Sequence, residues 1–167
     1  MPQFERRYIA EYCAERWPEG GYQLNYPLGP LPWARDLGEV YDAAARLYRP
    51  YRPEVDAVKF YPDGLVLIES KVMKHWHVLG QLLLYQHLIP YTEELRPYWG
   101  LPVKVRIIMP EIPPLIREVA EAVGIQVERF VTPQILEQQE KYNKYSTREY
   151  QTARQEKIAI RKALGVE

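Results

Sequence analysis

Cysteine is almost absent from this chain: among 167 residues there is one, Cys13. A single thiol closes no internal disulfide and builds no multi-cysteine metal cluster, so a reducing, cytoplasmic setting is expected. Long apolar runs are missing too. None approaches the roughly 20 residues that a membrane span needs, and the opening Met-Pro-Gln-Phe-Glu-Arg-Arg lacks the apolar stretch of a signal peptide. The chain also lacks an excess of either charge, with 22 basic side chains against 22 acidic ones. Any grip on nucleic acid must therefore come from a local basic patch rather than from net charge. Asparagine is scarce beside fifteen prolines, a balance that suits a heat-adapted protein. What is present is an ordinary globular composition, 47% apolar and 26% charged. That predicts one domain with a real core and excludes a disordered or collagen-like chain. No internal repeat is found.

The hydrophobic pattern predicts the elements. From Phe4 to Trp17, the residues Phe4, Tyr8, Ile9, Tyr12 and Cys13 fall on one stripe at helical spacing, with Pro18, Gly20 and Gly21 as the stop. Tyr22 to Pro53 is punctuated by proline and gives no clear element beyond a short helix over Gly38–Leu47. Val55–Tyr61 alternates as a strand, Pro62-Asp63-Gly64 turns, and an apolar strand runs from Leu65 on to Val72. Val78–Ile89 predicts a buried helix stopped by Pro90. Val103–Met109 predicts a strand, Pro113–Val123 an amphipathic helix closed by Gly124, and Ile125–Val131 a last strand. A hairpin followed by helix–strand–helix–strand gives an α/β domain over residues 1–132, a mixed sheet flanked by helices. Residues 133–167 form a polar, helix-prone tail. Between Lys141 and Lys162 that tail carries seven basic residues (Lys141, Lys144, Arg148, Arg154, Lys157, Arg161, Lys162) against Glu149 and Glu156.

One constellation carries chemistry. Asp56 lies in the first hairpin strand, and Glu69-Ser70-Lys71 ends the second. Residues two apart in a strand share a face, so Glu69 and Lys71 point together, and the hairpin brings Asp56 beside them. Two carboxylates can take a hard divalent cation such as Mg²⁺, which keeps waters for a phosphate substrate. A metal so placed activates water and stabilises phosphoryl charge. A lysine there can position or deprotonate that water, or offset phosphate charge. The plainer reading is an ion pair of Lys71 and Glu69 at a half-exposed sheet end.

This pattern resembles the PD-(D/E)xK nuclease superfamily, in its RecB-like and Holliday-junction-resolvase-like branches, from Phe4 to roughly Val131. The resemblance implies a restriction-endonuclease-like αβββαβ core. It implies Asp56, Glu69 and the Ser70 main-chain carbonyl as the holders of Mg²⁺ or Mn²⁺, with Lys71 assisting the attacking water. Ten residues beyond Lys71, Gln81 and Tyr85 match the QxxxY motif of RecB-like nucleases and share a helix face. In that branch the pair orients the site and contacts DNA. The family often sets a glutamate in its first helix facing the metal, and Glu5 is the candidate for that further ligand. Two departures are visible: Pro53-Glu54-Val55 precedes Asp56, so the Pro-Asp pair is not literal, and the four cluster cysteines of some relatives are absent.

The expected function is hydrolysis of DNA phosphodiester bonds. Its rival is a non-catalytic nuclease-fold protein, a DNA-binding or assembly subunit of a phage or other mobile element. A third reading is a nuclease that acts only within a larger protein complex, with the basic tail as docking arm. Junction resolvases suggest a homodimer by analogy. His75, His77 and His87 invite a zinc reading, but their spacing suits no closed site. Lys74 and His75 are candidates for a DNA backbone, and Trp76 for stacking on a base.

Overall fold

The computed structural model describes residues 3–31, 41–72 and 75–165, which fall into two compact units, Met1–Phe130 and Val131–Glu167. The first unit is built on a five-stranded sheet in the order β1 (Tyr22–Pro27), β2 (Glu54–Tyr61), β3 (Gly64–Ser70), β4 (Val103–Met109), β5 (Gln126–Arg129). β1, β2 and β3 run antiparallel, whereas β3, β4 and β5 run parallel. The sheet is therefore mixed. Its helices are α1 (Gln3–Arg16), α2 (Tyr41–Tyr48), α3 (Val78–Leu88) and α4 (Pro114–Ala122). Both parallel connections are helical crossovers, through α3 and then α4, as parallel pairing requires. Along the chain α1-β1-β2-β3-α3-β4 reproduces the αβββαβ order the resemblance implies, with α2 inserted after β1 and α4-β5 added at the end. The second unit holds α5 (Pro133–Ser146) and α6 (Arg148–Ala163), the latter capped where Thr147 Oγ1 accepts from Tyr150 N.

Three expectations need correction. β1 was not expected, and it supplies the third strand of the antiparallel half. It is an edge strand whose residues are mostly only part-buried, so it shows no apolar alternation and tolerates Pro27 at its end. β3 stops at Ser70 rather than running to Val72, although Lys71 N still donates to Ile108 O at 2.9 Å. The short helix expected over Gly38–Leu47 appears as Tyr41–Tyr48, its first three expected positions lying outside the described residues.

Strand alternation sorts the core into two layers. Val58, Leu65, Leu67, Val105, Ile107 and Met109 are buried with Val78, Leu82 and Tyr85 of α3 and with Ile116 and Ala120 of α4. Ala57, Val66, Ile68 and Ile108 alternate with them and are buried outside that cluster, and α1, which buries Tyr8, Ile9, Tyr12 and Cys13, lies against β1, β2 and β3. α1 is held at both ends of its stripe. Tyr8 Oη donates to Phe130 O at 2.7 Å, and the Trp17 indole packs edge-on against Tyr12. Each fully buried aliphatic side chain of α3 stabilises this layer by about 1.5–3 kcal/mol, which fixes α3 against β3 and β4.

The β2–β3 hairpin turns on Pro62-Asp63, with Tyr61 paired to Gly64. A Cβ at Gly64 would lie 2.4 Å from the Pro102 carbonyl oxygen, a backbone atom that cannot step aside. Gly64→Ala should therefore destabilise the chain by about 1–3 kcal/mol through overpacking, read as a fall in melting temperature. An unchanged melting temperature would show that this hairpin is not clamped against the start of β4.

Candidate active site

The pairing of β2 with β3 runs to Ala57 and Ile68, and just beyond it side-chain hydrogen bonds tie Asp56 to Glu69 and Ser70 at the end of β3. Glu69 alternates with Leu67 and Leu65, which places it on the α3 side of the sheet. Asp56 and Glu69 are 5% and 2% exposed, and Ser70 is fully buried. Lys71 Nζ donates to Glu69 Oε1 at 2.7 Å, and Asp56 N donates to Glu69 Oε2 at 3.4 Å. Asp56 Oδ2 accepts twice from one residue, from Ser70 N at 2.8 Å and Ser70 Oγ at 2.6 Å. Among the described residues Asp56 Oδ1 accepts no hydrogen bond.

Burial sets the electrostatics. Loss of water pushes the Asp56 carboxyl upward; the two Ser70 bonds and Lys71 oppose that, and Glu5 adds to it. Glu69 is pushed up to about 7 by burial and by the Asp56 charge, with Lys71 opposing. Burial alone would lower Lys71, but Glu69, with Asp56 and Glu5, outweighs it and holds the ammonium above its ordinary value. Lys71 is thus a cation here. The desolvated pair titrates as one unit, and it keeps a proton near neutrality because one ammonium does not balance the acids around it.

α3 brings Tyr85 near this pair, with Gln81 beside the tyrosine. Tyr85 Oη donates to Glu54 O at 3.0 Å, two residues before Asp56. Burial, then the Glu69 and Asp56 charges, raise the phenol, while a hydrogen bond with the Gln81 side chain opposes them. Glu5 is part-buried on α1 and reaches Asp56 and Lys71 as a charge. Among the described residues no three His, Cys, Asp or Glu side chains stand close enough to hold an ion together, so Glu5 does not stand with Asp56 and Glu69 as such a group. His87 is exposed, its ring 5.4 Å from that of Tyr91. Trp76 is 63% exposed, Lys74 lies outside the described residues, and so does the His75 side chain. Of the tail's basic residues, Lys141, Arg154, Lys157, Arg161 and Lys162 are exposed, and the side chains of Lys144 and Arg148 are not among those described.

Two features were missed in the sequence. The Ser70 hydroxyl fixes Asp56, whereas only its carbonyl had been singled out; a serine hydrogen-bonding a carboxylate leaves no spacing signal. Cys13 was expected only as core, yet its thiol is pushed up to about 12 by burial and then by the Asp56 charge, which places it near the acid. A surface hollow of about 430 Å³ is lined by Gly64, Leu65, Pro102 and Arg106, at the ends of β3 and β4 remote from Glu69 and Lys71. Asp56, Glu69 and Ser70 themselves are buried in the sheet.

No protein-family model matches the chain, and no curated protein does. Among solved structures, the crystal structure of a repair endonuclease from Pyrococcus abyssi aligns at 18% identity and a TM-score of 0.41, covering 75% of this chain and 46% of that one. The structure of an EndoMS–dsDNA complex aligns at 18% identity and a TM-score of 0.42, covering 75% and 44%. The chain thus spans less than half the length of either protein. At these scores the likeness carries no residue's role over to this chain.

The donor set was tested against the cation that the motif implies. Both carboxylates are hard oxygen donors, and the pair keeps excess negative charge out of water with one lysine to balance it. Two protein carboxylates with waters suit Mg²⁺ or Mn²⁺, which are commonly held by one or two carboxylates. The residues fit that group and not a closed zinc site. The proton on Glu69 gives the first prediction here. The unfolded carboxyl ionises near 4.5 and the folded one near 7, so its contribution to stability is complete below the unfolded value and lost as pH rises through about 7. Without metal, the melting temperature should fall between about pH 5 and 8, and Glu69→Gln should flatten that fall. An equal slope in the variant would place the titrating group elsewhere.

Proposed function

We propose that this chain is a divalent-metal-dependent nuclease that hydrolyses DNA phosphodiester bonds. The observation that carries the reading is the juxtaposition of Asp56 and Glu69 on adjacent strands, where Asp56 N bonds Glu69 Oε2 and Lys71 Nζ lies 2.7 Å from Glu69 Oε1. Support comes also from the matching element order and from Tyr85, which feels the charges of both carboxylates and is bonded by Gln81.

Asp56, Glu69 and the Ser70 carbonyl would hold Mg²⁺ or Mn²⁺, which supplies Lewis-acid stabilisation of charge on a phosphoryl oxygen and a water more easily deprotonated. The remaining work falls to the chain. Ser70 spends both its donors on Asp56 Oδ2, which fixes the carboxylate plane. Glu69 orients the Lys71 ammonium. As a cation Lys71 is a donor: it can hold a water by its lone pair or meet a non-bridging phosphate oxygen, and it is not a base while Glu69 keeps it charged. Tyr85, tied to Glu54 O, fixes the start of β2 and with it the approach of Asp56.

Digestion of duplex and branched DNA with Mg²⁺ tests this. Wild type should cleave, and Lys71→Ala should be slower by about 10²-fold or more while still binding Mn²⁺ in calorimetry. Equal rates would remove Lys71 from the chemistry. Cleavage by neither protein would favour the rival of a nuclease fold retained for binding or assembly, a reading to which the near-complete burial of both carboxylates lends weight.

A further inference from the structure

Asn25 is the one residue other than glycine with a positive φ among the described residues, at 50°. Asparagine tolerates that left-handed region better than most residues, but in a strand it interrupts the ladder. The interruption is visible in the pairing of β1 with β2. Tyr22, Gln23 and Leu24 pair with Lys59, Val58 and Ala57, and Tyr26 and Pro27 pair with Val55 and Glu54, while Asn25 and Asp56, which the register would oppose, are unpaired.

The hydrogen bonds show what the break does. Phe60 N donates to Gly21 O, so even-numbered residues of β2 turn their amides toward β1. Alternation would send the Asp56 amide to Asn25 O. That carbonyl instead accepts from Arg49 Nη2 at 2.7 Å, and the Asp56 amide goes to Glu69 Oε2. Beyond the break the parity has changed: Leu28 N donates to Pro53 O, an odd-numbered partner. Val55 and Tyr26 accordingly join the α3-side core cluster with Val58, although Val55 and Val58 are an odd number of residues apart.

We propose that Asn25 is a positioning residue for the carboxylate pair: its left-handed backbone, held by Arg49, releases the Asp56 amide from the sheet so that it can anchor Glu69. This inference rests on the metal-site reading for its functional meaning, but the anchoring itself can be measured without metal. Glycine adopts the same backbone at no steric cost, whereas valine resists it. Asn25→Gly should therefore retain the arrangement, and Asn25→Val should restore the strand and lose it.

The experiment has two arms on the intact chain. In the metal-free protein, Glu69→Ala should speed hydrogen exchange of the Asp56 amide in the wild-type and Asn25→Gly backgrounds. In Asn25→Val it should leave that exchange unchanged, because the amide has returned to β1. In calorimetry with Mn²⁺, Asn25→Val should bind about tenfold or more weakly, as loss of an orienting partner does, and Asn25→Gly should bind as wild type. Should Asn25→Val not fold, Asn25→Ala takes its place in both arms. Exchange that depends on Glu69 equally in all backgrounds would overturn the proposal, as would wild-type Mn²⁺ affinity in the valine variant. Wild type that binds no Mn²⁺ would remove the metal-site reading, and the exchange arm alone would then decide the role of Asn25.

Discussion

The first unit is organised around an unfavourable burial. Two carboxylates from adjacent strands, Asp56 and Glu69, are withdrawn almost wholly from water and held beside each other. One ammonium is bonded to one of them. Desolvation of an anion costs several kcal/mol even after relaxation, and like charges at close range add to it. A chain selected for stability alone would place apolar side chains at these sheet positions, as it does at Leu65 and Leu67. The cost is partly offset by the Ser70 donors, by Lys71 and by the Asp56 amide, and the rest shows as a proton retained near neutrality. A cation in place of that proton would complete the balance.

The surrounding fold keeps the pair from relaxing. The hairpin clamp at Gly64 against Pro102, the apolar layer between α3 and the sheet, and the Tyr85 bond to Glu54 each remove a way for β2 to slide or splay. Precision of this kind is what an orienting frame contributes to a reactive centre. The groups are held by sheet geometry, and Lys71, with its side chain 16% exposed, is the most accessible of the three charges.

Much of this was legible in the sequence because it follows from period and punctuation. β2, β3, β4, α3 and α4 carry apolar patterns bounded by proline or glycine, and the structure places them within a few residues of expectation. The approach of Asp56 to Glu69 and Lys71 follows from hairpin geometry, and the bond between Gln81 and Tyr85 from helix spacing. Less was legible where a side chain meets backbone. β1 buries too little apolar surface to announce itself, and Asn25 in a proline-punctuated stretch reads as a loop residue until the register shows what it displaces. The end of β3 was overextended because Lys71 keeps one bond to β4 after strand geometry has ended. Glu5 was expected from the resemblance to approach as a ligand, and it contributes its charge without joining the carboxylates.

The central claim is that the buried acid pair exists to seat a divalent ion. Crystals soaked in Mn²⁺ and measured at the manganese absorption edge test it most directly. The account predicts an anomalous peak shared by an oxygen of Asp56 and an oxygen of Glu69, lost in Asp56→Asn. Full Mn²⁺ soaking with no peak at that pair, or a peak elsewhere that survives Asp56→Asn, would contradict it.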